Sequence, residues 1–342
     1  MTTVADQLFQ FGGMPLMNGI PPFLSRYGKT YFVDPVNGAD GNSGNSPQRA
    51  LKTLYAAHAL MSDGGNDVCF LIANGAASGS ARLSTALAQS VDSSATSGKL
   101  TWSKSAAHLI GIAAPGPWAR ARIATPTGTY TEATFNDLNM ILVSGSGCYF
   151  SNLTLFQQFS TGANGEICLK VTGDYNVFSN VAVLGMASAL AAAGANSRNL
   201  VLTGADDNLF AGCQIGTDTV SRGAANASLE LAAASARNRF RDCLFPFQGS
   251  AAGVLGILGT GAGCCDRFTQ FDNCGFINNT KSSSTQMTVA GSFTNASPGG
   301  AVVLHNCYSQ GITKWGDTNF LANSFVDAAG GASTDGLMVN PS

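Results

Sequence analysis

Charge is scarce in this sequence. Lys, Arg, Asp and Glu make up 11% of its 342 residues, against roughly 25% in ordinary soluble domains. Eighteen basic residues stand against twenty acidic ones, for a formal net charge of −2. No Lys/Arg block exists, which argues against a nucleic-acid partner held through phosphates. Long hydrophobic runs are missing too. No stretch approaches the ~18 uncharged apolar residues of a membrane span, so no membrane partner is expected. The opening "MTTVADQLFQFGGMPLMNGIPPF" has neither a basic n-region nor a continuous apolar h-region, so no secretory signal is expected. The nine cysteines are therefore expected to begin in a reducing cytoplasm, where structural disulfides are rare. Their odd number fits free thiols. No G-x-S-x-G, P-loop or H-E-x-x-H occurs.

What is abundant is glycine, 41 residues of it, with Ala, Ser, Thr and Asn filling most of the rest. Small polar residues suit extended β structure with many tight turns. A repeat runs through the chain. Its segments are "FSNLTL" from Phe150, "FSNVAV" from Phe178, "FAGCQI" from Phe210, "FRDCLF" from Phe240, "FDNCGF" from Phe271 and "LHNCYS" from Leu304. Successive anchors lie 28, 32, 30, 31 and 33 residues apart. Two positions after the anchor come Asn152, Asn180, Gly212, Asp242, Asn273 and Asn306. These residue types best tolerate a left-handed backbone. One position further come Leu153, Val181, Cys213, Cys243, Cys274 and Cys307.

Each period thus reads as a strand ending in Phe, a bend at Asn, and a second strand that starts with an inward Cys or aliphatic. A third strand precedes the anchor: "ICLKV" (167–171), "NLVLT" (199–203) and "SLELA" (228–232). Leu169, Val201 and Leu231 each stand nine residues before their Phe. Three short strands per period of near thirty residues define one coil of a parallel β-helix. They fit neither a kelch blade nor a helical repeat nor a leucine-rich repeat. The fold class is all-β, a parallel β-helix. Stacking at about 4.8 Å per coil gives a rod on the order of 35–45 Å.

Residues 31–61 read "YFVDPVNGADGNSGNSPQRALKTLYAAHALM": a strand, a Gly/Asn turn, then a helix. The helix is expected over 46–62, with Ser46 as N-cap, Pro47 at N1, and Leu51, Leu54, Tyr55 and Ala59 on one face. Strands "DVCFLIANG" (67–75) and "HLIGIAAPG" (108–116) follow. This opening and the "HLIGI" strand resemble pectate-lyase-like right-handed β-helix proteins, especially those encoded by tailed bacteriophages. The resemblance covers roughly residues 29–330. In that family the helix plugs the N-terminal end, where an open sheet edge would invite aggregation. The fold hosts lyases, hydrolases and inert structural parts alike, so it does not fix an activity. The expected organisation is an attachment arm (1–28), the β-helix (29–330) and a C-terminal tail (331–342).

Three groups of residues are candidates for chemistry. The column Cys213, Cys243, Cys274, Cys307 lacks the paired short spacings of a zinc site, and Val181 and Leu153 continue it. It reads as core, so no metal or cofactor is expected. Asp174 and Asp206 both stand four residues before their Phe, and Asp207 adds a third carboxylate. This is the one candidate catalytic group, although "TGDYN" and "TGADDN" also read as turns. The next coils place Ala236 and Arg267 in that column. The family's hydrolase pattern of N-x-D, D-D, H-G and R-x-K is not reproduced. His58, His108 and His305 fall on separate coils, and Trp102, Trp118 and Trp315 are the candidate sugar platforms.

The arm is apolar and outside the repeat, with Phe9, Phe11, Met14, Leu16, Ile20 and Phe23 as its candidate contacts. The reading that follows is a non-enzymatic bacteriophage virion protein. It decorates the capsid or tail, is assembled in the host cytoplasm, is anchored by its arm to other virion proteins, and is a homotrimer by family analogy. The alternative is a tailspike-type polysaccharide depolymerase or a glycan-binding receptor protein that meets host surface glycan. Enzymatic spikes usually carry a longer chain than 342 residues.

Overall fold

Three parallel ladders of short strands wind around one apolar core. The computed structural model describes residues 28–73, 80–83, 98–113, 121–126, 138–159, 165–279, 285–295, 297–322 and 324–326, together with the backbone of Gln10–Phe11 and Met14–Pro15. The Phe ladder includes Asp67–Ile72, Ala107–Ile112, Leu209–Ala211, Ala236–Arg241, Asp266–Asp272 and Gly300–His305. The Cys ladder includes Gln214–Ile215, Leu244–Phe247, Gly275–Asn278 and Tyr308–Gln310. Two long strands, Tyr149–Phe156 and Val177–Leu184, belong to both, because they bend between the ladders without breaking. The Leu ladder runs from Leu100–Trp102 through Ile167–Val171, Arg198–Leu202 and Ala227–Leu231 to Ile312–Gly316. The molecule is a parallel β-helix. No helix among the described residues is long and apolar enough to cross a membrane.

The anchor column stacks in register. Phe150 pairs with Phe178, then Phe210, Phe240, Phe271 and Leu304. Ring centroids are 4.8, 4.6, 4.8 and 4.7 Å apart, and the stacked rings are nearly parallel. All five rings are buried. Burial of each contributes roughly 2 kcal/mol, with about 1 kcal/mol more per aromatic pair. The bend after each anchor is left-handed at Asn152, Asn180, Gly212, Asp242, Asn273 and Asn306, with φ between 50° and 60°. Their amides link coils: Asn180 Nδ2 donates to Asn152 Oδ1 (3.0 Å), and Asn273 Nδ2 to Asp242 Oδ1 (2.7 Å).

A second asparagine column lies inside. Asn176, Asn208 and Asn238 are fully buried, two residues before their Phe. The Oδ1 of Asn176 accepts from Cys148 N (2.8 Å), that of Asn208 from Asn176 N (2.9 Å), and that of Asn238 from Asn208 N (3.0 Å). Each side chain replaces the backbone acceptor that its turn removes, so a buried N–H is never left bare.

The Leu ladder corrects one expected alignment. Leu169 pairs with Leu200, and Leu200 with Leu229, so Val201 and Leu231 are not in that column, and Val201 pairs with Glu230. The turn before each Phe grows from coil to coil, so counting back from Phe slips the register. A second correction concerns the N-terminal helix. Ser46 makes no side-chain cap bond, and Pro47–Arg49 is one turn of 3-10 helix. Leu51 bridges to Val33 in an extended segment. The helix itself, α1, is Leu54–Leu60, capped by Thr53, whose side chain accepts from Ala56 N. Asp40 fixes the entry by accepting from Lys52 N, Thr53 N and Thr53 Oγ1. Leu54, Ala57 and His58 form its buried face, and Ala59 is exposed. The helix packs against Thr30–Val33, Asp67–Ile72 and Leu100–Trp102. Lys104 closes its C-terminus, its Nζ donating to His58 O, Ala59 O and Met61 O.

The other end carries its own cap. A short helix, α2 (Thr318–Ala322), lays Phe320 over Gly291 and Gly316. A Cβ at either glycine would sit 2.3 Å from the ring. The inward column Leu169, Leu200, Leu229, Ile257 thus gives way to Gly291 where Phe320 takes up the space.

Candidate functional site

A second left-handed corner separates the Leu ladder from the Phe ladder. Its residues are Gly147 (φ 68°), Tyr175 (58°), Asp207 (56°), Arg237 (54°) and Arg267 (67°). Neighbouring coils are tied there by Gly147 N to Asp174 O (2.9 Å), Tyr175 N to Asp206 O (3.0 Å) and Asp207 N to Ala236 O (2.9 Å). The backbone demand matches that of the Asn corner, but the residues do not. Asn, Asp and Gly accept a left-handed φ readily, while a bulky side chain in it costs about 1–2 kcal/mol. Tyr175, Arg237 and Arg267 hold that strain in three of four successive coils, with Asp207 between the first two, and such strain clusters at binding and catalytic sites.

The row is exposed. Tyr175 is 63% accessible, the largest value among the exposed large hydrophobics. Asp207 and Arg237 form a two-point pair, with Nε to Oδ1 at 2.7 Å and Nη2 to Oδ2 at 2.5 Å. The hydrogen bond from Arg237 holds the Asp207 carboxyl below the usual carboxylate range, and the same bond raises the Arg237 guanidinium. Arg239 and Arg241 are exposed on the same strand as Arg237, alternating with the buried Asn238 and Phe240. Arg239 lies 5.9 Å from the centroid of the Phe268 ring. Among the described residues, neither Arg239 nor Arg267 has a carboxylate within ion-pair distance. A groove of about 360 Å³ opens here, lined by Asp207, Arg237, Arg239, Arg241, Gln270 and Asp272. At its far side His305 Nδ1 and Asp272 Oδ1 are 2.8 Å apart.

The three aspartates singled out in the sequence do stack, and each is engaged. Asp174 Oδ1 accepts from Asp206 N, and Asp206 Oδ1 from Ala236 N, both at 2.8 Å. Asp207 is held by Arg237. They work as turn ladders and leave no facing acid and base across an open cleft. The cysteine column is buried and unbridged, apart from the half-buried Cys307. Among the described residues no group of three or more His, Cys, Asp or Glu side chains is placed to hold a metal ion.

The tryptophan platforms are a correction. Trp102 and Trp315 are buried in the core, Trp102 with its Nε1 donating to Ala107 O. Trp118 lies outside the described residues. His58 and His108 are buried too, and burial holds both near a pKa of about 4, hence neutral. Of the arm, Phe11 and Met14 pair through their backbones in a short antiparallel bridge. Phe9, Leu16, Ile20 and Phe23 fall outside the described residues, as does the segment 331–342.

The Arg and Tyr row went unread in the sequence, yet a signal existed. "ARNRFRD" sets Arg at every second position, hence on one face of a strand. Three residues before Phe stand Tyr, Asp and Arg, where the opposite corner has Asn, Gly and Asp.

No family model matches the chain, and no curated protein matches it in sequence. Solved structures match its fold. A pectate lyase gives a TM-score of 0.54 at 14% identity, covering 89% of this chain and 69% of that one. A rhamnogalacturonan lyase gives 0.55 at 16%, covering 84% and 70%. A pectin methylesterase mutant in complex with a hexasaccharide gives 0.50 at 15%, covering 91% and 92%. Identities this low establish the fold alone: a parallel β-helix of the kind found in pectate lyase and pectin methylesterase.

Proposed function

We propose that this chain is an outer component of a tailed-bacteriophage particle, and that it contacts host surface glycan along the Tyr175, Asp207, Arg237, Arg267 row without cleaving it. The observation that carries the glycan contact is the strained row itself, with Tyr175 and Arg267 exposed, beside a groove lined by Arg239, which among the described residues has no carboxylate within ion-pair distance. An exposed ring offers a face to a sugar, and forked guanidiniums suit hydroxyl, carboxylate or phosphate oxygens. The fold neighbours are named for polysaccharide chemistry, which supports the glycan class. The engagement of Asp174 and Asp206 in turn hydrogen bonds, and of Asp207 in its pair with Arg237, supports binding without cleavage. Placement on the particle, through residues 1–28 and as a homotrimer, rests on the sequence resemblance.

The test is co-sedimentation of the purified chain with host surface polysaccharide. Retention by the wild type and loss by at least tenfold in an Arg239→Ala, Arg267→Ala double variant is expected. Equal retention of both proteins overturns the assignment. Cryo-microscopy of the intact particle tests the location, and a chain lacking residues 1–28 should be folded yet absent from particles.

One observation favours a second reading, cleavage. Asp272 and His305 form an acid–base pair at 2.8 Å beside Arg241. A cleared halo on host polysaccharide that disappears with His305→Ala would favour that reading.

A further inference from the structure

The Cys ladder places four sulfurs on consecutive coils. Leu244 stands in register with Gln214, and Gly275 with Leu244 and with Tyr308, so Cys213, Cys243, Cys274 and Cys307 directly precede paired residues. Each thiol donates to the carbonyl of the anchor one coil below: Cys213 to Phe178 (3.3 Å), Cys243 to Phe210 (3.4 Å), Cys274 to Phe240 (3.5 Å) and Cys307 to Phe271 (3.5 Å). The shared acceptor geometry aims all four sulfurs the same way. Parallel neighbours lie about 4.8 Å apart, inside the Cα range that a disulfide spans. Access breaks the symmetry: Cys213, Cys243 and Cys274 are buried, and Cys307 is half-buried at the end of the column.

We propose that Cys307 and Cys274 are an oxidation site, at which a peroxide closes a disulfide between the last two coils of the Cys ladder. The Cys307 thiol gives up its proton as its sulfur attacks one peroxide oxygen. An S–O bond forms, the O–O bond breaks, and hydroxide leaves. The ionised Cys274 sulfur then attacks the Cys307 sulfur. The S–S bond forms, the S–O bond breaks, and a second hydroxide leaves. The two protons released by the thiols turn both hydroxides into water. Both sulfurs are oxidised, and the peroxide is reduced. Among these neighbouring thiols the thiolate is favoured at Cys274, beside Cys243 and Cys307, and disfavoured at Cys307, beside Cys274 and partly buried; Cys307 is set apart by its access and Cys274 is suited to the second step. The site is separate from the arginine groove and stands whether or not that groove binds glycan.

The experiment titrates the full chain, purified under reducing conditions, with hydrogen peroxide. Thiols are counted after denaturation, and tryptic peptides are mapped without reduction. Two of the nine thiols should disappear, and the peptide of residues 268–281 should appear joined to that of 282–314. The thermal midpoint should rise on oxidation and return with dithiothreitol. Cys274→Ser should stop the reaction at oxidised Cys307 with no joined peptide and no rise, and Cys307→Ser should retain its remaining thiols. A full thiol count after treatment overturns the assignment. So does a bridge confined to Cys264–Cys265, or a joined peptide that persists in the Cys274→Ser protein.

Discussion

At the scale of single residues, two positions with the same backbone angle carry opposite messages. Asn180 and Asn273 sit in the left-handed bend because they fit it, and Tyr175 and Arg267 sit in such a bend in spite of it. Relieving the strain should therefore stabilise the chain. Tyr175→Asn and Arg267→Asn are each expected to raise stability by roughly 0.5–1 kcal/mol, read as a higher urea midpoint, while glycan retention falls. A loss of stability at both positions would show that the side chains serve packing. Cys274 behaves differently. It fills a column that Leu153 and Val181 fill in earlier coils, all of them buried. Cys274→Val should fold and stay within about 1–3 kcal/mol of wild type, with no response to added metal or chelator in a thermal melt.

At the scale of elements, the strands and bends were legible because their columns repeat in the sequence. Phe, then Asn, then an inward residue recur at a fixed offset, and the structure stacks them in register. The Leu ladder was misaligned by one residue at Val201 and by two at Leu231 because the turns that precede Phe vary in length. Periodicity measured from one strand cannot see insertions that fall before it. The helix start was misplaced because Ser46-Pro47 is a sound N-cap signal that here serves one 3-10 turn. Asp40 spends its carboxylate on Lys52 and Thr53, and that long-range contact sets the true start. The row of Tyr175, Arg237 and Arg267 was hidden because its members share a backbone conformation, not a chemistry. The inner asparagines were visible as the last residue of "TGDYN", "TGADDN" and "AASARN" but looked like ordinary turn residues. Their burial makes them costly to change. Asn238 accepts from Asn208 N and Nδ2 and donates to Ala205 O. Asn238→Ala leaves those buried groups bare and should destabilise by about 2–4 kcal/mol, measured by urea unfolding. A change below ~0.5 kcal/mol would mean that water replaces the amide.

At the scale of the whole molecule, acid should weaken the N-terminal end first. His58 and His108 drop from an ordinary value of 6.5 to about 4, mainly because both are buried. Each accepts a backbone hydrogen bond that protonation would remove, His58 from Ser103 N and His108 from Tyr149 N. The unfolded chain takes up protons from pH 6.5 downward, and the folded chain refuses them until about 4. Stability is therefore intact above that window and falls as pH drops through it, by up to roughly 3 kcal/mol per histidine. A thermal midpoint that stays flat between pH 6.5 and 4 would contradict this, and His108→Asn should shrink the slope. Register has a further consequence. Residues 210–239 run from one anchor to the position just before the next, and both borders meet neighbours of their own kind. That segment is an interchangeable rung. Copying it once in tandem should lengthen the rod by one step of about 4.8 Å, with the end caps carried along unchanged, so that the length of this protein is a quantity that can be dialled.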